Sequence, residues 1–453
     1  MMKPEALAMA EARVPRYTSY PTAPHFKPQI DGARVESWLG QIDATKPVSL
    51  YLHVPFCGKL CWYCGCNTSI ANKYDAVGQF VDTLLTEIDA VGAATGRRLR
   101  AGHVHFGGGT PNALSPADFA RLAAHLRATF DIGRDVPFEI EIDPRTLNAA
   151  MAIALAEAGV SRVNFGIQDF DPQVQAAINR IQPVELVAEK IGLLRQAGLD
   201  EFGVDLLYGL PYQTDASIAR TVGDVAQLGA ARVSLFGYAH VPWMKPHQEL
   251  LEPHGLPGTD ERMRLAATAH AALAAAGYAR VGIDHFAKTD NALAVAARDG
   301  RLRRNFQGYT TDTADTLIAF GPSAISAFAQ GFTQNHTRLN EWRAAVLDGR
   351  LPVARGCATN PDDHVRADAI ERLMCDFALD LGALAQAHRM TAHPLDYFAG
   401  SLAQIDRLAA EGLCVRDGLK IAIPAAATNF ARVVASAFDA YLETGDAKYS
   451  VAV

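Results

Sequence analysis

Short stretches rich in β-branched and aromatic residues alternate with longer amphipathic ones through the first two thirds of the 453-residue chain. "VSLYLHV" (48–54), "GHVHFGG" (102–108), "FEIEID" (138–143), "RVNFGIQ" (162–168), "EFGVDLLYG" (201–209) and "RVSLFGYAH" (232–240) read as strands. Helical patterns fill the gaps over 78–94, 115–130, 147–158, 184–196, 215–228 and 259–276. In the first of these, Phe80, Leu84, Leu85 and Ile88 share a face, and Ser115 with Pro116 supplies an N-cap and first helical position for the second. Six strand–helix units imply an α/β fold with a parallel sheet, closed or partly open as a (β/α)6 barrel rather than flat.

The unusual residues follow the strands. "CGKLCWYCGC", "GGGTP", "EIDPR", "QDF", "GLP" and "YAH" all come at strand ends, which in a βα-barrel gather on one face where chemistry is done. Beyond the six units, "YARVGIDHF" reads as another strand and "RLRRNFQGYTT" as an irregular polar segment. "LIAFGPSAIS" (317–326) is expected to return to the barrel mouth. From about residue 355 the texture turns helical, with "CVRDGLKIAI" as a small hairpin. The expected divisions are an arm (1–46), a barrel with its extension (47–354) and a mainly helical C-terminal domain (355–453).

Hydrophobic residues make up 49% and charged residues 20%, as in ordinary globular chains. No apolar run is long enough to span a membrane, and the N-terminus lacks the apolar core of a secretory signal. A net charge of −7 argues against general nucleic-acid binding, though a local basic pocket can still hold an anion. Seven cysteines, four of them bunched, do not resemble a disulfide framework; a reducing cytoplasm is the expected setting.

Cys57, Cys61 and Cys64 put three thiolates on one tight loop, with Cys66 close behind. Thiolates favour zinc, copper(I) and iron–sulfur clusters. A closed zinc site needs four ligands, usually in two separated pairs, and no second pair follows here. A 4Fe–4S cluster normally takes four cysteines, so three would leave one iron open to a ligand.

The C-x3-C-x2-C spacing after a strand, with an aromatic before the last cysteine, resembles the radical S-adenosylmethionine (SAM) enzymes. Within them the chain resembles the oxygen-independent coproporphyrinogen III oxidases, also called coproporphyrinogen III dehydrogenases. The resemblance covers nearly the whole length and rests on "PRYTSYPTAPHF", "YLHVPFCGKLCWYCGCN", "FGGGTPN", "EIEIDPRTL", "FGIQDF", "INRIQ", "DLLYGLP", "GYAH", "DHFA" and "RNFQGYTT". Related haem chaperones resemble the barrel but typically lack the full arm and carry an aromatic where this chain has Cys66. "CWYC" departs mildly from the commoner "CYFC", with Tyr63 keeping a ring at its position.

The resemblance implies a partial (β/α)6 radical SAM barrel, a 4Fe–4S cluster held by Cys57, Cys61 and Cys64, and two bound SAM molecules. It places Tyr51, Gly108, Glu141 and Ile325 around the first SAM. It places Tyr63, Gly109, Thr110, Gln168, Arg180, Asp205 and Ala239 around the second. Read from chemistry alone, Arg180 suits a carboxylate and Asp205 suits ribose hydroxyls or an ammonium. The implied reaction is anaerobic: a 5′-deoxyadenosyl radical takes a hydrogen from a propionate β-carbon, and loss of CO2 and one electron leaves a vinyl group. Two propionates of coproporphyrinogen III react in this way, giving protoporphyrinogen IX for haem synthesis. No residue is singled out as catalytic; the electron donor and acceptor stay open, and a monomer is expected. A substrate with four carboxylates needs a basic lining, for which Arg13, Arg16, Arg303 and Arg304 are candidates. The arm is expected to fold over the active site. The alternatives are a haem chaperone, a haem-modifying methyltransferase or a structural zinc protein.

Overall fold

The structure, a computed structural model, describes residues 11–442 and Tyr449. The first ten residues of the expected arm and the end of the expected C-terminal domain lie outside the described residues.

Six strands form the framework: β1 (Val48–Val54), β2 (Arg100–Gly108), β3 (Phe138–Ile142), β4 (Arg162–Gln168), β5 (Phe202–Tyr208) and β6 (Arg232–Gly237). Each pairs in parallel with the next. The connecting segments carry the expected helices, among them Tyr74–Thr95, Pro116–Thr129, Val184–Gln196 and Asp215–Leu228. Their starts follow from local chemistry. Ser115 accepts from the Asp118 N–H with Pro116 in the first turn, and Thr214 and Ser217 form a reciprocal capping box.

Burial alternates along these strands. In β3, Phe138, Ile140 and Ile142 are buried while Glu139 and Glu141 are half-buried; in β4, Val163, Phe165 and Ile167 are buried while Asn164 and Gly166 are not. The apolar set joins the large core beneath the helices. The opposite set, largely polar, faces the lumen. A closed eight-stranded barrel fills its interior with apolar layers; here the sheet stays open and the lumen stays polar.

The sheet grows past the six strands at both ends and, with the short strand Asp131–Ile132 beside β2, has thirteen strands among the described residues. The expected single strand over 278–286 is instead a hairpin, β7 (Tyr278–Val281) and β8 (His285–Lys288), and β8 pairs antiparallel with β6. Gly282 (φ +58°) turns the chain there. On the other side, β9 (Leu317–Phe320) pairs in parallel with β1. It is followed by antiparallel β10 (Ile325–Phe328), β11 (Gly331–Asn335) and β12 (Val353–Ala358). The segment read as irregular contains a small hairpin, Arg303–Asn305 against Gly308–Thr310.

The arm is anchored at two places. Its helix Gly32–Gly40 sends Val35, Trp38 and Leu39 into the large core, and Lys27 bridges to Gly356 of β12. Val14, Tyr17 and Tyr20 belong instead to a second core with the C-terminal helices Pro361–Cys375 and Ala399–Ala410. The Tyr17 hydroxyl donates to Asp439 at 3.0 Å. Strand β12 runs past the expected division at 354/355. The 415–423 hairpin pairs with a third strand, Ala378–Asp380. Among the described residues, no helix is long and apolar enough to cross a membrane.

Candidate functional site

The cysteine loop leaves the C-terminal end of β1 and is tied down through its backbone. Trp62 N–H donates to Ile178 O at 3.1 Å, and the Asn179 amide to Leu60 O at 2.8 Å. From the other side, Gln248 donates to Tyr63 O (2.9 Å) and Lys245 to Cys66 O (2.7 Å), while the His247 ring meets Cys64 O at 2.8 Å. The loop is thus held by its neighbours, which leaves its thiols available.

Each of the three thiols has polar company. Thr68 donates to Cys57 Sγ at 3.1 Å, and Thr110 Oγ1 lies 3.3 Å from it. Burial nonetheless pushes the Cys57 thiol upward. Arg180 Nη1 and Arg145 Nη2 approach Cys61 Sγ at 3.4 and 3.6 Å. Cys64 is pulled down to about 6, first by hydrogen bonding from Cys66, with Lys245 and His247 adding positive charge. At Cys64 these surroundings favour the thiolate, the ligand form of cysteine. Cys66 is exposed and contributes its backbone N–H to Cys64 Sγ at 3.4 Å.

Arg180 is neither on a helix nor at the surface. It is buried beyond the helix Pro172–Ala177, donates to Gly166 O at 2.5 Å and lies 3.5 Å from Asp143. Burial opposes its charge, yet Tyr63, Asp143 and Cys61 hold its proton affinity above the ordinary arginine range. Its Nε is buried without a partner. Asp143 is the hub: Arg145 forks onto both its oxygens. Asp143 and Arg145, within "EIDPR", thus join Cys61 without being singled out by sequence; an acid and a base straddling a proline after a strand is the available signal.

The glycine triplet fits tightly. A Cβ on Gly108 (φ +111°) would meet the His53 ring at 2.6 Å; on Gly109, Phe56 O at 2.8 Å; on Gly107, Glu141 Oε1 at 3.0 Å. Only glycine lets this backbone approach the loop. Glu141 accepts from Gly108 N–H (3.2 Å) and sits 3.2 Å from His105 Nε2. Burial works against the His105 charge, but Glu141 and Glu139 hold its pKa above the usual histidine value. Tyr51 stacks on His105, its register partner, with centroids 5.7 Å apart.

Across the lumen, Asp205 on β5 interacts with Asn164 and Ser234; burial, then Glu141, raises its pKa to about 6. Gln168 has φ +71° at a register shift ending β4, a strained conformation of the kind found at functional positions. Tyr63 packs its ring against the small core of Val174, Ile178 and Leu210.

Thr110 and Arg180 therefore converge on the cysteines, while Tyr51, Glu141 and Asp205 line the lumen. Ile325 opens β10, separated from β1 by β9. Ala239 lines a neighbouring cavity with Arg16, Tyr208, Arg262, Asp284, Arg304 and Arg432. The four candidate substrate arginines separate. Arg16 and Arg304 reach this cavity, whereas Arg303 pairs with Glu371 at 3.0 Å and Arg13 lies over the Trp243 ring at 5.6 Å. Arg262 and Arg432 were missed, since one reads as a helix-surface charge and the other sits in an alanine-rich stretch.

Among the described residues, no three His, Cys, Asp or Glu side chains converge closely enough for one metal ion, as a zinc site with Zn–S bonds of about 2.3 Å requires. Three thiols spaced round a loop suit an iron–sulfur cube, which holds each at a separate iron. The glycine cradle and the unpartnered Nε of Arg180 beside them fit a polar ligand at that cube.

An open parallel barrel with three cysteines at the end of its first strand defines the radical SAM class, and the radical SAM superfamily model matches residues 51–225. The chain is 44% identical to the oxygen-independent coproporphyrinogen III oxidase of Bradyrhizobium diazoefficiens, over 99% of both chains. It is 41% identical to that of Cereibacter sphaeroides, over 99% of this chain and 98% of the relative. The solved structure of the coproporphyrinogen III oxidase of Escherichia coli, described as a radical SAM enzyme, matches with a TM-score of 0.89 and 35% identity. That match covers 95% of this chain and 100% of the other. The chain belongs to the oxygen-independent coproporphyrinogen III oxidase family. As a radical SAM protein it is of the class that works with a 4Fe–4S cluster and SAM.

Proposed function

We propose that this chain converts coproporphyrinogen III to protoporphyrinogen IX without oxygen, turning two propionates into vinyl groups by oxidative decarboxylation. The carrying observation is the extent of the likeness. It runs through the arm and the C-terminal region, well beyond residues 51–225. A haem chaperone or methyltransferase sharing only the barrel is the weaker reading.

Cys57, Cys61 and Cys64 would hold the 4Fe–4S cluster and leave Cys66 out. One SAM would lie by Tyr51, Gly108, Glu141 and Ile325, and a second by Tyr63, Gly109, Thr110, Gln168, Arg180, Asp205 and Ala239. When bound, these groups supply a 5′-deoxyadenosyl radical able to take a hydrogen from a propionate β-carbon. The chain's own residues prepare the place. Thr68 and Thr110 hydrogen-bond with Cys57 Sγ, and Arg145 and Arg180 lie against Cys61 Sγ. The glycine triplet gives close backbone approach, and Glu141 and Asp205 offer acceptors for ammonium or ribose hydroxyls. The arm, anchored in the second core, keeps water from the mouth, where a misplaced radical would attack the protein. The protein is read as a cytoplasmic monomer, which sedimentation of the purified chain tests.

Anaerobic turnover of the reconstituted protein with reductant, SAM and coproporphyrinogen III tests the reading. CO2, a monovinyl intermediate and protoporphyrinogen IX are expected, with deuterium from the propionate β-carbon appearing in 5′-deoxyadenosine. S-adenosylhomocysteine without vinyl product would point to a methyltransferase, and haem binding without product to a chaperone.

A further inference from the structure

The cavity at the ends of β5 and β6 gathers four guanidiniums from four separate parts of the chain. Arg16 comes from the arm, Arg262 from the helix Thr259–Ala275, Arg304 from the small hairpin and Arg432 from the helix Ala431–Ala435. Asp284 is the only carboxylate in the lining among the described residues. It is already engaged by His285 Nδ1 at 2.7 Å and by Arg304 Nη1 at 3.7 Å.

Arg304 has a side chain only 5% exposed, held 4.4 Å over the Tyr309 ring, and its Nε has no partner. Arg262 Nε is likewise buried without one. Arg16 stands at the more open rim and donates to Gly237 O at 3.4 Å. Burial, followed by the nearby Arg16, pushes Arg432 down to about 9. The wall beside them is kept clear: a Cβ on Gly237 would meet the Tyr208 hydroxyl at 2.9 Å and Arg262 Nη2 at 3.4 Å. Positive charge drawn from water with donors left unmet, as at Arg262 and Arg304, is costly until an anion arrives.

We infer that this cavity is a carboxylate subsite for the tetracarboxylate porphyrinogen, and that it holds the propionates the reaction retains. The inference rests on the function proposed above. Guanidinium forks stabilise a carboxylate in its ground state. A propionate that must leave as neutral CO2 gains nothing from that, because binding which is stronger before the transition state than in it slows the step. A propionate that stays can be gripped hard, and gripping it fixes the opposite edge of the macrocycle toward the cysteine loop.

The test uses porphyrin fluorescence on the full chain before cluster reconstitution, with Arg16→Gln, Arg262→Gln and Arg262→Lys. Coproporphyrin III carries all four propionates, whereas protoporphyrin IX carries only the retained pair. Each glutamine variant is expected to weaken both porphyrins by about ten- to a hundredfold, with Arg262→Lys recovering part of the loss. Unchanged affinity for both overturns the subsite. Loss for coproporphyrin III alone would place the reacting propionates there and overturns the assignment. Arg16 lies outside the sheet, so Arg16→Gln decides the matter if Arg262→Gln does not fold. Absence of decarboxylation by the reconstituted parent would sink the function instead, independently of how the variants bind.

Discussion

Asp205→Asn should make this protein more stable and less active, with the gain confined to one side of a pH window. Asp205 sits half-buried on the lumen wall of β5, its pKa raised from 3.8 to about 6 by burial and then by Glu141. Below pH 3.8 the folded and unfolded chains both hold the proton. Between 3.8 and 6 the folded chain keeps a proton that the unfolded chain has lost, so stability falls as pH rises. Above 6 the loss is complete, at about 3 kcal/mol if taken at full value. Water reaching the lumen screens part of this, so about 1–3 kcal/mol is expected at pH 8. Asparagine carries no such cost, and Asn164 and Ser234 can turn to meet its amide. Urea denaturation of the anaerobic cluster-free chain at pH 8 and pH 4 measures the difference. The stabilisation should appear at pH 8 and shrink toward zero at pH 4. Equal stability at pH 8, or a gain that persists at pH 4, would refute the reasoning. SAM binding by the variant should fall, since a carboxylate acceptor is gone.

Replacing Cys57, Cys61 or Cys64 by Ser should abolish iron retention and the low-temperature paramagnetic signal, while Cys66→Ser keeps both; cluster loss in the Cys66 variant would undo the ligand assignment. Gly108→Ala forces a side chain into φ +111° and against the His53 ring. It should cost about 1–3 kcal/mol and displace His53 from Asn67 O, seen as a lower melting temperature and weaker SAM binding; parent-like values would show the cradle to be slack. Deleting residues 1–24 should leave the iron content intact but end porphyrinogen turnover. It also removes Val14, Tyr17 and Tyr20 from the second core, so the C-terminal region should melt earlier; full turnover by the truncated chain would count against a covering arm.

The barrel was legible because each strand combines a β-rich run with a breaker at its end. The runs at 48–54 and 162–168 coincide with the observed strands. The pattern failed at 278–286, where one glycine turns the chain between two four-residue strands and leaves no gap in the apolar run. It failed again at the sheet's far edge, because an antiparallel extension looks no different from the barrel strands. In the site, three cysteines on one loop announced themselves. Gln168 did not, since its mark is a backbone angle. The burial of Arg180 did not show either, because it depends on the loop from residue 60, more than a hundred positions away. Arg262 and Arg432 carry no local pattern at all; their meaning comes from meeting Arg16 and Arg304 in space.

A chain of net charge −7 that gathers arginines at two places on one barrel face sets up a field with direction. Arg145 and Arg180 stand by Cys61, four guanidiniums line the neighbouring cavity, and the lumen presents Glu141 and Asp205. Above pH 6 the Asp205 carboxyl is charged. An anionic macrocycle is then repelled from the lumen wall and drawn toward the arginine cavity, while a cationic or hydroxyl-rich ligand is favoured at Glu141 and Asp205. The two binding preferences do not compete, because they have opposite sign. If the cavity holds the retained propionates as inferred, charge would orient the substrate before close contact forms, and the raised pKa of Asp205 would be the stability cost of keeping a carboxylate there.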